Sequence, residues 1–242
     1  MRTSPVVVGL VLAACGGSPT PKATGPAASG PAVTIATVEG TVPAGEELGD
    51  AHVRVPFVTV VGDPAASAAI NAALGVPNTK AALAAVTALG EVGLDYQVGY
   101  NQDGLLDLTI AHETMGAYPD GYTVHFLFDV ATGKALKGAD LLAADQRPAL
   151  AAVLDQRLQA EMASTRQENP DCATEDDDPY QGQFTVEHLD DVGLTAQGVV
   201  FTYPYDFPHV IQACEPLGEF TLTLAEARPY LRADGPLAAL AR

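Results

Sequence analysis

The chain has no tryptophan, three cysteines, three methionines, and only 12 basic residues against 30 acidic ones, a formal charge of -18. A field of that sign repels phosphate backbones, which excludes nucleic-acid binding, and favours cationic partners such as basic proteins, basic peptides or metal ions. Long apolar runs are also lacking: Pro5 to Ala14 is too short to cross a bilayer as a helix. There is no G-x-S-x-G, no P-loop and no C-x-x-C. His112-Glu113 opens like H-E-x-x-H, but residue 116 is glycine, and none of the five histidines stands at metal-pair spacing with another. No catalytic residue, metal site or cofactor is therefore assigned, and the chain is not read as an enzyme.

What is present places the chain outside the cytoplasm. Arg2, a short apolar stretch and then Leu12-Ala13-Ala14-Cys15 form a secretory leader over residues 1–14. The tetrapeptide resembles the lipobox of bacterial lipoproteins. That resemblance implies cleavage before Cys15, acylation of its thiol, and a membrane anchor on the extracytoplasmic side. In a Gram-negative cell, Gly16 after that cysteine implies the outer membrane. Residues 15–31, rich in Gly, Pro, Ser, Thr and Ala, bury no core and read as a flexible tether. Cys172 and Cys214 are then an even pair in an oxidising compartment, and one disulfide is the simplest use of them. The alternative, a catalytic cysteine, needs a stabilised thiolate, and the acidic neighbours of Cys172 oppose one.

Hydrophobic residues make up 48% of the chain and charged residues 17%, so the remainder is globular. Residues 32–38 and 52–61 alternate as strands, with Val53, Val55, Phe57 and Thr59 on one face and Pro56 implying an edge. Asp63 caps a helix with Pro64 in its first turn and Gly75 at its exit, and Asn78 caps a second, Ala-rich helix ending near Gly90. Asp103-Gly104 joins residues 95–100 and 105–111 as a hairpin. In the strand that follows, Val124, Phe126 and Phe128 share one face and Thr123, His125 and Leu127 the other; FDVATGK then turns the chain, with Asp129 bonding turn amides and Gly133 supplying positive φ. Residues 145–163 show helical spacing at Leu150, Val153, Leu154, Leu158 and Met162. Residues 184–188, 198–203 and 220–224 read as strands, a short helical segment lies near Arg228, and the last ten residues read as a tail. The class is α+β: antiparallel hairpins with packed helices, in two intimately associated lobes.

The acidic run Glu175 to Asp178 offers oxygen ligands but lacks EF-hand spacing, so it reads as a solvated loop. His125, alone on a strand, reads as a half-buried structural residue.

Gly116-Ala117-Tyr118-Pro119, the strand ending Phe128-Asp129, Thr132-Gly133-Lys134, Leu136 and Asp140-Leu141-Leu142 resemble the extracellular domain of RsiV-type anti-sigma factors, a domain also found beside some peptidoglycan deacetylases. Phe184, Gly198 to Phe201, Tyr205, Phe220-Thr221-Leu222, Glu226 and Leu231 are similar to its closing strands and final helix. The resemblance covers residues 110–232, giving a carboxy-terminal RsiV-like domain over 111–232, an amino-terminal α+β lobe over 32–110, and a tail over 233–242. Tyr118 replaces the family's usual histidine, and the segment from Cys172 to Gln183 departs from the pattern. The resemblance implies a fold and, from one branch, lysozyme binding. The expected function is a lipid-anchored, non-catalytic envelope binding module for a cationic protein such as lysozyme, with Tyr118 and Asp120 as loop residues that touch the partner. The alternatives are an envelope enzyme acting on peptidoglycan and a structural lipoprotein without a ligand.

Overall fold

The computed structural model describes residues 30–43, 50–76, 91–115, 119–172 and 178–240. Its central layer is a six-stranded sheet in the order β1-β2-β3-β4-β5-β6. β1 (Val33–Pro43) and β2 (Asp50–Val60) run antiparallel from Val33 opposite Val60 to Pro43 opposite Asp50. β2 meets β3 (Glu91–Gln102) in parallel through only two pairs, His52 with Gly93 and Val53 with Leu94. β4 (Leu105–Met115), β5 (Pro119–Asp129) and β6 (Lys134–Leu136) follow as antiparallel neighbours. Asp103 at φ 55° and Gly104 at φ 76° make the tight turn that Asp-Gly predicts. Asp129 Oδ1 accepts hydrogen bonds from the amides of Ala131 and Thr132, and Gly133 stands at φ 69°, as expected of that turn.

α1 (Pro64–Leu74) starts at Asp63, whose carboxylate accepts from the amides of Ala65 and Ala66, and ends at Gly75 in the left-handed region. It also closes an open sheet edge. Asn71 accepts from Val58 N and donates to Val58 O, and Ser67 Oγ accepts from Val60 N, so two side chains stand in for the strand that β3 no longer provides. The Pro56 nitrogen has the same parity as those of Val58 and Val60 and points to this released side, so β2 tolerates proline without being the outermost strand. Val53, Val55, Phe57 and Thr59 share one face of β2, as expected, but burial does not follow that face to its end: Phe57 is 40% exposed, while Val58 and Val60 are buried with Ala66, Ile70 and Leu74. The burial phase switches because β2 leaves β3 after Val53 and α1 covers the opposite face. The expected second helix, residues 78–90, lies outside the described residues.

The two faces of β4 serve different cores, as the period-two alternation of a strand requires. Leu106, Leu108 and Ile110 join Phe128 and α1 on one side; Leu105 joins Leu127 and a second layer on the other. That second layer contains α2 (Gly138–Leu141), α3 (Arg147–Glu168), a three-stranded sheet of β7 (Val192–Leu194), β8 (Val199–Thr202) and β9 (Glu219–Leu222), and α4 (Leu224–Ala227). α3 buries Leu150, Ala151, Leu154, Leu158 and Met162 against Phe184, Phe201 and Phe220. It begins two residues later and ends five residues later than the spacing predicts. Residues 184–188 are not a strand: Thr185 N donates to His188 Nδ1, and the chain turns into a short 3-10 helix over His188–Asp190. β7 was not anticipated, being too short to show alternation. Residues 233–240 return to the body, with Leu237 fully buried. Cys172 and Cys214 form a disulfide with Cα atoms 6.3 Å apart. The class is α+β, with two cores on opposite faces of one sheet; β4 runs without a break through residues 110 and 111.

Candidate functional site

The inner face of the large sheet is apolar at Leu105 and Leu127 and polar further along. Asp107, Thr109, Ala111 and Glu113 of β4 share that face with Asp95, Gln97 and Gly99 of β3 and Thr123 and His125 of β5. Opposite stand Gly193 and Leu194 of β7, Thr195 beyond it, Val200 of β8 and Glu219 of β9. Polar residues facing each other across two sheets do not close, and a cleft of ≈ 460 Å³ remains.

Asp107 is its deepest charged group, 2% exposed and the one buried charged residue among the described residues. Its Oδ2 accepts from Leu194 N at 2.8 Å, which satisfies an amide on the edge of β7 turned away from β8. Burial raises its pKa to about 7, opposed by the Leu194 hydrogen bond. The backbone makes room for it. The β3–β4 register slips between Val98 and Tyr100, so Gly99 is the extra residue of a β-bulge beside Asp107. A Cβ on Gly99 would strike Asp107 Oδ1 and would come within 2.8 Å of Leu194 O. A Cβ on Gly193 would stand 3.1 Å from His125 Nδ1 and 3.2 Å from Asp107 Oδ2. Glycine at both positions lets the sheets approach while the carboxylate and the imidazole stay in place.

His125 is half-buried; its Nδ1 lies 3.4 Å from Thr109 Oγ1, and its Nε2 is buried without a hydrogen-bond partner. Nearby, burial pushes the Asp191 carboxyl up, offset in part by the charges of His125 and Lys137. Among the lining carboxylates, Asp95 is engaged by Arg54, which also reaches Glu39. Among the described residues, no lysine or arginine lines the cleft.

Of the sequence-derived site residues, the structure brings together Cys172 and Cys214. Cys15 and Tyr118 lie outside the described residues. Asp120 is placed by its backbone, opposite Thr114 on β4, and its side chain is outside the described residues. The Cys172–Cys214 disulfide ties the end of α3 to the segment before β9. Of the acidic run, Asp178 serves structure, accepting hydrogen bonds from Arg166 and Tyr180 N. No group of three metal-ligating side chains occurs among the described residues. A larger groove of ≈ 700 Å³ runs between β2 and α1, but its single charged residue, Asp63, is already capping the helix.

The cleft was missed by sequence reasoning, although two signals mark it. The odd positions of β4 read Asp-x-Thr-x-Ala-x-Glu where a buried face should be apolar, and Gly99 interrupts a strand in the manner of a bulge.

No family model matches the chain, and no curated protein matches it. Solved structures do. A member of the DUF3298 family from Bacteroides fragilis NCTC 9343 is 16% identical with a TM-score of 0.52, over 89% of this chain and 99% of that one. A DUF3298 family protein from Pseudomonas aeruginosa PAO1 is 18% identical with a TM-score of 0.49, over 84% of this chain and 94% of that one. The likeness is one of fold, to a domain of unknown function, and carries no activity with it.

Proposed function

We propose that the chain is a lipid-anchored, non-catalytic binding module of the bacterial cell envelope that takes a cationic protein, lysozyme being the specific candidate. The observation that carries this reading is the inter-sheet cleft, lined by Asp95, Asp107, Glu113 and Glu219 and, among the described residues, by no lysine or arginine, in a chain of formal charge -18. Such a surface steers a basic protein toward the site and rejects acidic ones. The lipobox resemblance of residues 12–15 supports the anchor, and the RsiV-like pattern of residues 110–232 supports lysozyme as the partner. Calorimetric titration with lysozyme, first at low and then at physiological salt, tests the reading. Saturable binding at both is expected; binding that vanishes with modest salt reports unspecific charge attraction and removes the proposal.

A second reading, an envelope enzyme acting on peptidoglycan, draws on a buried carboxyl raised to about 7 beside a histidine. Hydrolysis of peptidoglycan that disappears in His125→Ala would favour it over the binding module.

A further inference from the structure

We propose that the floor of the inter-sheet cleft is a subsite for a single alkylammonium or guanidinium group, the tip of a lysine or arginine side chain presented by the cationic partner. The proposal rests on the binding-module reading above and specifies what the partner inserts.

Two buried polar groups at this floor have hydrogen-bonding capacity that the fold leaves unfilled. Asp107 is 2% exposed, and its Oδ2 is engaged by the Leu194 amide, while its Oδ1 accepts no hydrogen bond from the described residues. His125, within reach of the same Gly193 position, has a buried Nε2 with no partner. Native interiors rarely leave such groups unpaired, and those that remain call for a role. Gly99 preserves the access: the volume its missing Cβ would occupy lies directly against Asp107 Oδ1.

The walls select the ligand. Arg54 pairs with Asp95 and with Glu39, whereas Glu113 and Glu219 add carboxylates with no ion pair among the described residues. An anionic group meets repulsion here. A neutral hydroxyl gains an ordinary hydrogen bond, whereas an ammonium or guanidinium gains a charge-assisted one to a carboxylate shielded from water. Ala111 and Val200 give the apolar lining along which a methylene stem can lie while its charged end reaches Asp107.

The test is a nuclear magnetic resonance titration of the full chain with Nα-acetyl-lysine methylamide, its arginine counterpart, and the uncharged norleucine analogue. The Gly193 and Leu194 amides and the His125 ring are followed. Both cations should give saturable shifts at these positions and norleucine none, and Asp107→Asn should weaken the cations by about tenfold or more. Wild-type resonances that fail to shift, or equal affinity in Asp107→Asn, overturn the subsite. The wild-type arm stands alone if the variant does not fold. Lysozyme added to parallel samples separates the two ideas. Lysozyme bound while neither cation shifts the cleft leaves the module and removes the subsite. Both cations bound while lysozyme is refused leaves the subsite and removes lysozyme as the partner.

Discussion

Asp107 combines two roles that pull against each other. It holds β7 to the large sheet through Leu194 N, and its burial disfavours its own charge. Its folded-state pKa, about 7, lies above the ordinary 3.8. Folding therefore favours the protonated carboxyl. That contribution is whole below the unfolded value and is lost as pH rises through 7, a difference on the order of 4 kcal/mol across the window. Asp107→Asn keeps an acceptor for Leu194 N and carries no charge at any pH. Thermal melts should show it more stable than the parent at pH 8 and close to it at pH 4; a constant difference at both values would contradict the assignment of the buried proton to Asp107.

At the scale of elements, α1 is bound to the sheet through polar side chains as well as through its apolar face. Asn71→Ala leaves Val58 N and O unpaired on the strand edge, and chemical denaturation should show a loss of about 1–3 kcal/mol. Gly133 is the other fixed point. It stands at φ 69°, and a Cβ there would lie 2.7 Å from Ala66 O and 2.9 Å from Ala69 Cβ. Gly133→Ala should therefore cost about 1–3 kcal/mol in the same assay, more than turn strain without a helix pressed against it. These devices were legible one at a time: Asp63, Gly75, Asp103-Gly104, Asp129 and Gly133 all act locally, and local chemistry is what a sequence displays. The use of Asn71 as a false strand was not legible, because it depends on β2 leaving β3 after Val53. The phase switch at Pro56 and the turn at Thr185 to His188 were hidden for the same reason: a tertiary partner decides them. β7 could not be seen because three residues do not establish a period.

Across the whole molecule, two cores share one sheet, and the cleft occupies the part of one face that the second core leaves uncovered, with Leu108 and Ile110 of the first core on the opposite face. The second core is closed by the Cys172–Cys214 disulfide, which spans 42 residues and should contribute about 4 kcal/mol by restricting the unfolded chain. Reduction should lower the denaturation midpoint by a corresponding amount without removing β1 to β6 from the cooperative fold, as hydrogen exchange of the six-stranded sheet can check. The α+β class followed from mixed hairpins and helices in the sequence. The site did not, because its residues come from β3, β4, β5, β7, β8 and β9 and meet only when the small sheet docks. Of the sequence-derived partner residues, Asp120 stands near the start of β5, at the same end of the sheet as Glu113, and Tyr118 lies outside the described residues.

The central claim is that a cationic protein is received in the acidic cleft between the sheets. The most direct measurement is hydrogen exchange of the full chain with and without lysozyme, resolved to single amides. The account predicts added protection concentrated on β3, β4 and β5 beside the cleft and on Gly193 and Leu194, reduced in Asp107→Asn. Protection confined to α1 and β2, or none at a lysozyme concentration that saturates the calorimetric signal, would contradict it.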